Sequence, residues 1–255
     1  MTTALVLSAG GMFGAYQAGV WKSLARVFQP DLVVGTSAGS LNGWAIAGGC
    51  TTEELTAIWL DPDLEKLMRV RWRASMWQGL WDPAPLAQSV QALHARYRPR
   101  IPFVLTVTEV PRMKPRLVRG EDVTWQHLAA SCAVPVGFPP VRIGGKLYAD
   151  GGLLAVLPVW AAAKCGAARA VAVNALPVMP SRLVRTAAKL AYRFGRNRLG
   201  VNGVEVVEVS RGALGSLEDA LHWKLANARR WIEMGEEDGA KLAPRLASER
   251  ALPLK

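Results

Sequence analysis

Residues 31–47 read DLVVGTSAGSLNGWAIA, and the fold is decided there. Asp31–Val34 is a short apolar strand candidate ending in Gly35, and Ala38–Ala47 reads as a helix that Gly48-Gly49 stops. Between them lies Gly35-Thr36-Ser37-Ala38-Gly39, a G-x-S-x-G pattern in a strand–turn–helix setting. A nucleophile elbow requires that setting. The serine must occupy a tight, strained turn for its hydroxyl to project above a sheet. Bulky residues two positions either side would clash, hence Gly35 and Gly39. The helix N-terminus that follows offers positive potential to a developing anion. Ser37 is the candidate nucleophile.

Toward the N-terminus, Thr3–Ser8 is a strand candidate and Gly14–Phe28 has helical spacing. Gly10-Gly11-Met12-Phe13-Gly14 opens that helix. Glycines there let backbone N–H groups approach a ligand, as a nest for a phosphate or an oxyanion. The loop is not a Walker A motif, because no Gly-Lys-Ser/Thr follows. It approaches a dinucleotide fingerprint, with Ala9 in place of the first glycine, but the acidic residue expected roughly twenty positions on is missing. With an elbow serine downstream, an oxyanion hole is the better reading. A third signal, Asp150-Gly151-Gly152, follows the strand candidate Lys146–Ala149 and taken alone reads as a simple turn.

The rest of the chain alternates strands with helices. Thr51 and Glu54 form a capping-box pattern, and Asp82-Pro83 opens a helix to about Tyr97. Pro102–Glu109 and Arg116–Val118 look like strands, and Thr124 caps a helix ending before Pro135. Gly144-Gly145 joins Val141–Ile143 to Lys146–Ala149 as a hairpin. Pro158–Cys165 is helical, Arg169–Asn174 a strand, Ser181–Phe194 helical and Val204–Val209 a strand, and Ser216 caps one long final helix. Such alternation argues for an α/β layered sheet.

The 255 residues, 51% of them hydrophobic, suit a single domain over 1–255, with neither linker nor repeat. Cys50, Cys132 and Cys165 fit neither a zinc site nor a redox pair, so they read as small buried hydrophobes in a reducing compartment. No stretch reads as a transmembrane span or a signal peptide, which points to a cytoplasmic or peripheral membrane location. Net charge is +11, and residues 151–204 hold no Asp or Glu. Trp72, Trp77 and Trp81 sit beside Arg69, Arg71 and Arg73. Such a surface favours polyanions. No nucleic-acid motif is present, so an anionic membrane surface is the expected partner, and no protein partner is indicated. In the segment Ser181–Gly200, placed on a helix, Arg182, Arg185, Lys189, Arg193 and Arg196 would form one stripe beside an apolar one, as an interfacial helix needs.

The three motifs, in this order, resemble the patatin-like phospholipase family. The likeness extends to Leu128–Pro140 (LAASCAVPVGFPP) and Leu147–Pro158 (LYADGGLLAVLP), and covers about residues 4–175. It implies a three-layer α/β/α sandwich with a mostly parallel central sheet. It also implies lipid acyl hydrolysis through a Ser–Asp dyad without histidine, metal or cofactor. Ser37 and Asp150 would be the dyad, and Gly10, Gly11 and Met12 would supply backbone donors to the oxyanion. Phe13 stands where the family loop usually has Arg or Lys, and Ala155-Val156 where bacterial members often have Asn-Asn or Asn-Pro. An aspartate with a reference pKa of about 3.9 is a poor base for a serine, so burial beside Gly151 and Gly152 would have to raise it.

Two readings compete. The order Ser37, Asp150, His222 satisfies an α/β-hydrolase triad, although His222 lies in a stretch with helical spacing and that fold places its nucleophile later in the chain. A non-enzymatic binder of nucleic acid or of a membrane surface would suit the charge but leaves the elbow and the Gly-rich loop unexplained.

Overall fold

Runs of valine, alanine and leucine build a mixed sheet in the computed structural model, which describes residues 1–71, 79–177, 201 and 203–251. In chain order the elements are β1 (Thr3–Leu7), α1 (Gly14–Leu24), β2 (Leu32–Gly35), α2 (Ala38–Ala47), α3 (Thr52–Leu60), α4 (Pro83–Arg96), β3 (Phe103–Val110) and β4 (Lys114–Arg119). They continue with α5 (Trp125–Ser131), β5 (Val141–Ile143), β6 (Lys146–Asp150), α6 (Val159–Lys164), β7 (Arg169–Asn174), β8 (Glu205–Ser210), α7 (Leu217–Leu221) and α8 (Leu225–Ala251). The strands β3, β2, β1, β7 and β8 run parallel in that spatial order, and β4, β5 and β6 join antiparallel. The family-like α/β sheet expected from the sequence is present.

The strand period of two assigns the sheet's faces. Leu5, Leu7, Val33, Leu105, Val171 and Val173 point into a core shared with α1, α2, α4, α5 and α8. Ala4, Val6, Leu32, Val34, Ala170 and Ala172 point the other way, onto Val159, Trp160, Ala161 and Ala162 of α6. Both faces are covered, which is why the central strands carry near-continuous apolar runs.

The local signals act as read. Thr51 and Glu54 exchange both capping-box bonds, at 3.1 and 3.0 Å, and Asp82 accepts from the Ala84 N–H at 3.1 Å. Two boundaries differ by more than two residues. Helix α1 ends at Leu24 instead of Phe28, unwinding through turns before Pro30. The single final helix expected after Ser216 is two helices. Ser216 caps only α7; His222 then takes extended angles (φ −115°, ψ 123°), and the indole of Trp223 donates to the Trp59 carbonyl at 2.9 Å. The break lets Trp223 tie this region to α3. The expected basic helix Ser181–Gly200 and Trp72, Trp77 and Arg73 lie outside the described residues. Among the described residues no helix is long and apolar enough to cross a membrane.

Candidate active site

Ser37 sits between β2 and α2 with φ 53° and ψ −130°, a left-handed conformation rarely adopted by a non-glycine residue. Such a geometry costs about 1–3 kcal/mol and persists only when the surroundings impose it. The surroundings here are tight. A Cβ on Gly35 would lie 2.2 Å from the Gly39 carbonyl oxygen, and one on Gly39 would lie 2.4 Å from that of Leu7. Glycine at both positions lets α2 start directly over the ends of β1 and β2, so Ser37 turns on its apex.

Asp150 comes close to the elbow at the end of β6 because β3 serves two strands on one edge. Val104 and Leu105 pair with β4 and also with β2, and Val107 to Glu109 pair with β4 and also with β6. With β4 on one edge, β2 and β6 must share the other. They meet end to end there: Gly35 lies opposite Leu105, and Asp150 opposite Val107. Thr106 occupies the gap, and its carbonyl accepts from the Ser131 hydroxyl at 2.9 Å. The same Ser131 oxygen accepts the Ser37 N–H at 2.9 Å. One serine of α5 thus fixes the elbow to the sheet where the two strand ends converge.

Asp150 is buried, and its Oδ1 accepts the Gly152 N–H at 2.6 Å. Desolvation raises its pKa from 3.8 to about 7, while the nearby Ser37 hydroxyl and the Gly152 N–H, which favour the charged form, pull it down. Neighbouring Cys132 is buried as well, and burial, aided by the Asp150 charge, pushes its thiol up and keeps it protonated.

Gly10, Gly11 and Met12 line the same cavity as Ser37 and Asp150. Among the described residues, their N–H groups donate to no protein acceptor, whereas those of Ala9 and Phe13 on either side are bonded to Val156 and Gly10. Gly11 is at φ 55°, and a Cβ there would lie 2.3 Å from the Ala220 carbonyl of α7. Phe13, where the family loop usually has a cation, is buried edge-on against Trp231 of α8, with ring centroids 4.9 Å apart. In this chain that position anchors the loop to the core.

Two polar residues that sequence reasoning passed over brace the loop from beneath. The Gln17 amide donates to the Ser8 carbonyl at 2.8 Å, and the Asn42 amide donates to the Gly14 carbonyl at 2.9 Å and to Gln17 Oε1 at 3.0 Å. The indole of Trp59 completes the chain by donating to Asn42 Oδ1 at 2.8 Å. Both stems of the loop are thereby tied to α2, the helix that carries Ser37. The signal was present in the sequence: Gln17 and Asn42 are polar residues with apolar or small neighbours on either side in their helices. Ser131 gave a weaker one.

The cavity measures about 650 Å³ and is almost wholly apolar away from the loop and the elbow. Ala38, Leu41 and Ala45 of α2, at helical spacing, form one wall, facing Ile58 of α3 and Val90 and Leu93 of α4. The histidines lie elsewhere. His222 is exposed at the end of α7 with Nδ1 3.1 Å from the Glu218 carbonyl, His94 stacks on Trp44, and His127 closes the cap of α5. None of the three lines the cavity.

A family model for patatin-like phospholipase matches residues 5–163. The chain is 26% identical over 188 residues to uncharacterized protein YqhO of Bacillus subtilis (strain 168), covering 61% of this chain and 65% of YqhO, so it spans just under two thirds of that relative's length. Among solved structures, VipD from Legionella pneumophila matches with a TM-score of 0.50 at 12% identity, over 96% of this chain and 67% of VipD, a likeness of fold alone. The type III effector protein ExoU matches at 12% identity with a TM-score of 0.42, over 96% of this chain and 53% of ExoU. The family match spans the Gly-rich loop, the elbow and the strand end at Asp150, and the chain belongs to the patatin-like phospholipase family.

Proposed function

We propose that the chain is a serine-dependent lipid acyl hydrolase, a phospholipase A- or lysophospholipase-like esterase, with Ser37 as nucleophile and Asp150 as proton acceptor. The observation that carries this reading is a serine on a strained elbow, beside a buried carboxyl, at the head of an apolar cavity. A base poised near neutrality transfers protons efficiently in both directions, and a pKa of about 7 gives Asp150 that property.

In the reaction, Ser37 Oγ attacks the ester carbonyl carbon as its proton passes to the Asp150 carboxylate. The carbonyl π pair moves onto oxygen, and that oxyanion turns toward the N–H groups of Gly10, Gly11 and Met12. A donor so placed contributes on the order of 3 kcal/mol to the transition state. Collapse breaks the ester C–O bond, and protonated Asp150 returns its proton to the leaving alcohol. Water, deprotonated by Asp150, then attacks the acyl-enzyme carbonyl; the bond from the acyl carbon to Ser37 Oγ breaks, Asp150 returns the proton to Oγ, and the carboxylic acid leaves. The acyl chain lies along the Ala38–Ala45 wall. A volume of about 650 Å³ is within the range of cavities that bury most of a ligand. No histidine, metal or cofactor takes part.

Fatty-acid release from lysophosphatidylcholine micelles tests this. Wild type should turn over, and Ser37→Ala should lose at least about a thousandfold in rate while staying folded. Retention of a tenth or more of the wild-type rate would refute Ser37 as the nucleophile.

A further inference from the structure

Four of the seven large apolar residues exposed among the described residues gather at the mouth of the cavity: Val70 at 67%, Leu80 at 45%, Val134 at 38% and Val136 at 59%. Backbone hydrogen bonds lace them into one platform. The Leu80 N–H donates to the Val136 carbonyl and the Trp81 N–H to that of Gly137, both at 2.9 Å. Arg71 N–H donates to the Leu80 carbonyl at 2.9 Å, and Val70 bridges to Trp81. Beneath, the buried rings of Trp81 and Phe138 pack with centroids 5.2 Å apart. Their Trp81 ring fills the space where a Cβ on Gly137 would stand, 1.9 Å away. The exposed side chains therefore stand on a packed base.

Val136 is also strained. Its φ of 72° lies in the left-handed region, where a β-branched residue is an outlier. Glycine or asparagine would adopt this backbone with less strain. The strain keeps an isopropyl group in solvent at the opening of an apolar cavity that Val134, Pro135 and Val136 themselves line. Exposed Arg69 and Arg71 flank Val70, within a chain of net charge +11.

We propose that this rim is the face on which the protein docks to an anionic phospholipid bilayer, with Val70, Leu80, Val134 and Val136 entering the acyl boundary and Arg69 and Arg71 meeting headgroup phosphates. The inference rests on the reading of the cavity as an acyl site. A lipid lifted from the bilayer then passes along a continuous apolar path from Val136 to Ser37. Apolar side chains supply buried area and cations supply attraction to anionic lipid, the two terms on which interfacial binding depends.

The test separates docking from turnover by using the Ser37→Ala chain, which leaves the lipid intact. Its co-sedimentation with phosphatidylglycerol-rich vesicles should exceed that with phosphatidylcholine vesicles and weaken as salt rises. Adding Leu80→Gln and Val136→Asn should lower the bound fraction by about tenfold. Asparagine suits the left-handed backbone, so the melting temperature should hold or rise, which rules out damage as the cause. In the active chain, Val70→Gln with Leu80→Gln should slow hydrolysis of vesicle lipid and spare that of a soluble short-chain ester. Unchanged vesicle binding by the triple variant would overturn the proposal. So would a concentration-dependent dimer, abolished by the same substitutions, in a chain that ignores vesicles. If vesicles bind through this face but wild type hydrolyses no ester, the acyl-hydrolase reading fails and the docking face stands.

Discussion

Replacing Asp150 by asparagine should stabilise the protein and silence it at once, with a pH signature that no bystander carboxyl would give. Burial raises the Asp150 pKa from 3.8 to about 7, while the unfolded chain keeps a value near 3.9. Between those values the folded state holds a proton that the unfolded state has released. Stability therefore falls as pH rises through this window, and levels off above about pH 7. A shift of about three units at 1.36 kcal/mol each amounts to about 4 kcal/mol in full, of which about 3 kcal/mol should develop between pH 5 and pH 8. Asparagine is neutral throughout and can still accept from the Gly152 N–H. Urea unfolding at a series of pH values should show Asp150→Asn gaining on wild type by about that amount as pH rises from 5 to 8. Ester turnover by wild type should follow the ionised fraction, with about a tenth of the plateau rate left at pH 6. The variant should be as inactive as Ser37→Ala at every pH. A stability difference that is flat from pH 5 to 8 would refute the buried, proton-holding carboxyl.

Three further substitutions probe the loop and the cavity. Gly11→Val puts a side chain against the Ala220 carbonyl on a backbone at φ 55°, so turnover should fall by at least about a hundredfold, checked by ester hydrolysis on soluble, folded protein. Asn42→Leu leaves the Gly14 carbonyl and the Trp59 indole without their partner; kcat should drop more than tenfold with KM little changed, and stability by about 2 kcal/mol, read from progress curves and denaturant melts. Ala45→Leu narrows the cavity seven residues along α2 from Ala38, about 10 Å or roughly eight methylenes away. Hydrolysis of long-chain esters should slow, with butyrate esters unaffected, in a chain-length series.

What the sequence made legible was local. The boundaries of α2 depend on Gly35, Gly39 and Gly48-Gly49, and the capping boxes at Thr51 and Ser216 close within four residues, so each could be read from its own neighbourhood. The parallel core followed from uninterrupted apolar runs. The approach of Asp150 to Ser37 could not be read this way, because it depends on β2 and β6 sharing one edge of β3, a matter of long-range register. Only the order of the motifs pointed to it. The break after α7 was hidden for a similar reason. Residues 217–232 keep helical spacing, and the break at His222 goes with a bond from Trp223 to Trp59, far away in the chain. Likewise the rim joins residues near 70, 80 and 136, whose exposure no local pattern announces.

The most direct test of the dyad is reaction with a fluorophosphonate, in which the serine oxygen displaces fluoride from phosphorus and the adduct is located by peptide mass. Wild type should take up one phosphonyl group, on Ser37, and His222→Ala should label at the same rate. Ser37→Ala should take up none, and Asp150→Asn should react at least about a hundredfold more slowly. Labelling of another residue, wild-type labelling of Ser37→Ala, or loss of labelling in His222→Ala would contradict a site built on Ser37 and Asp150.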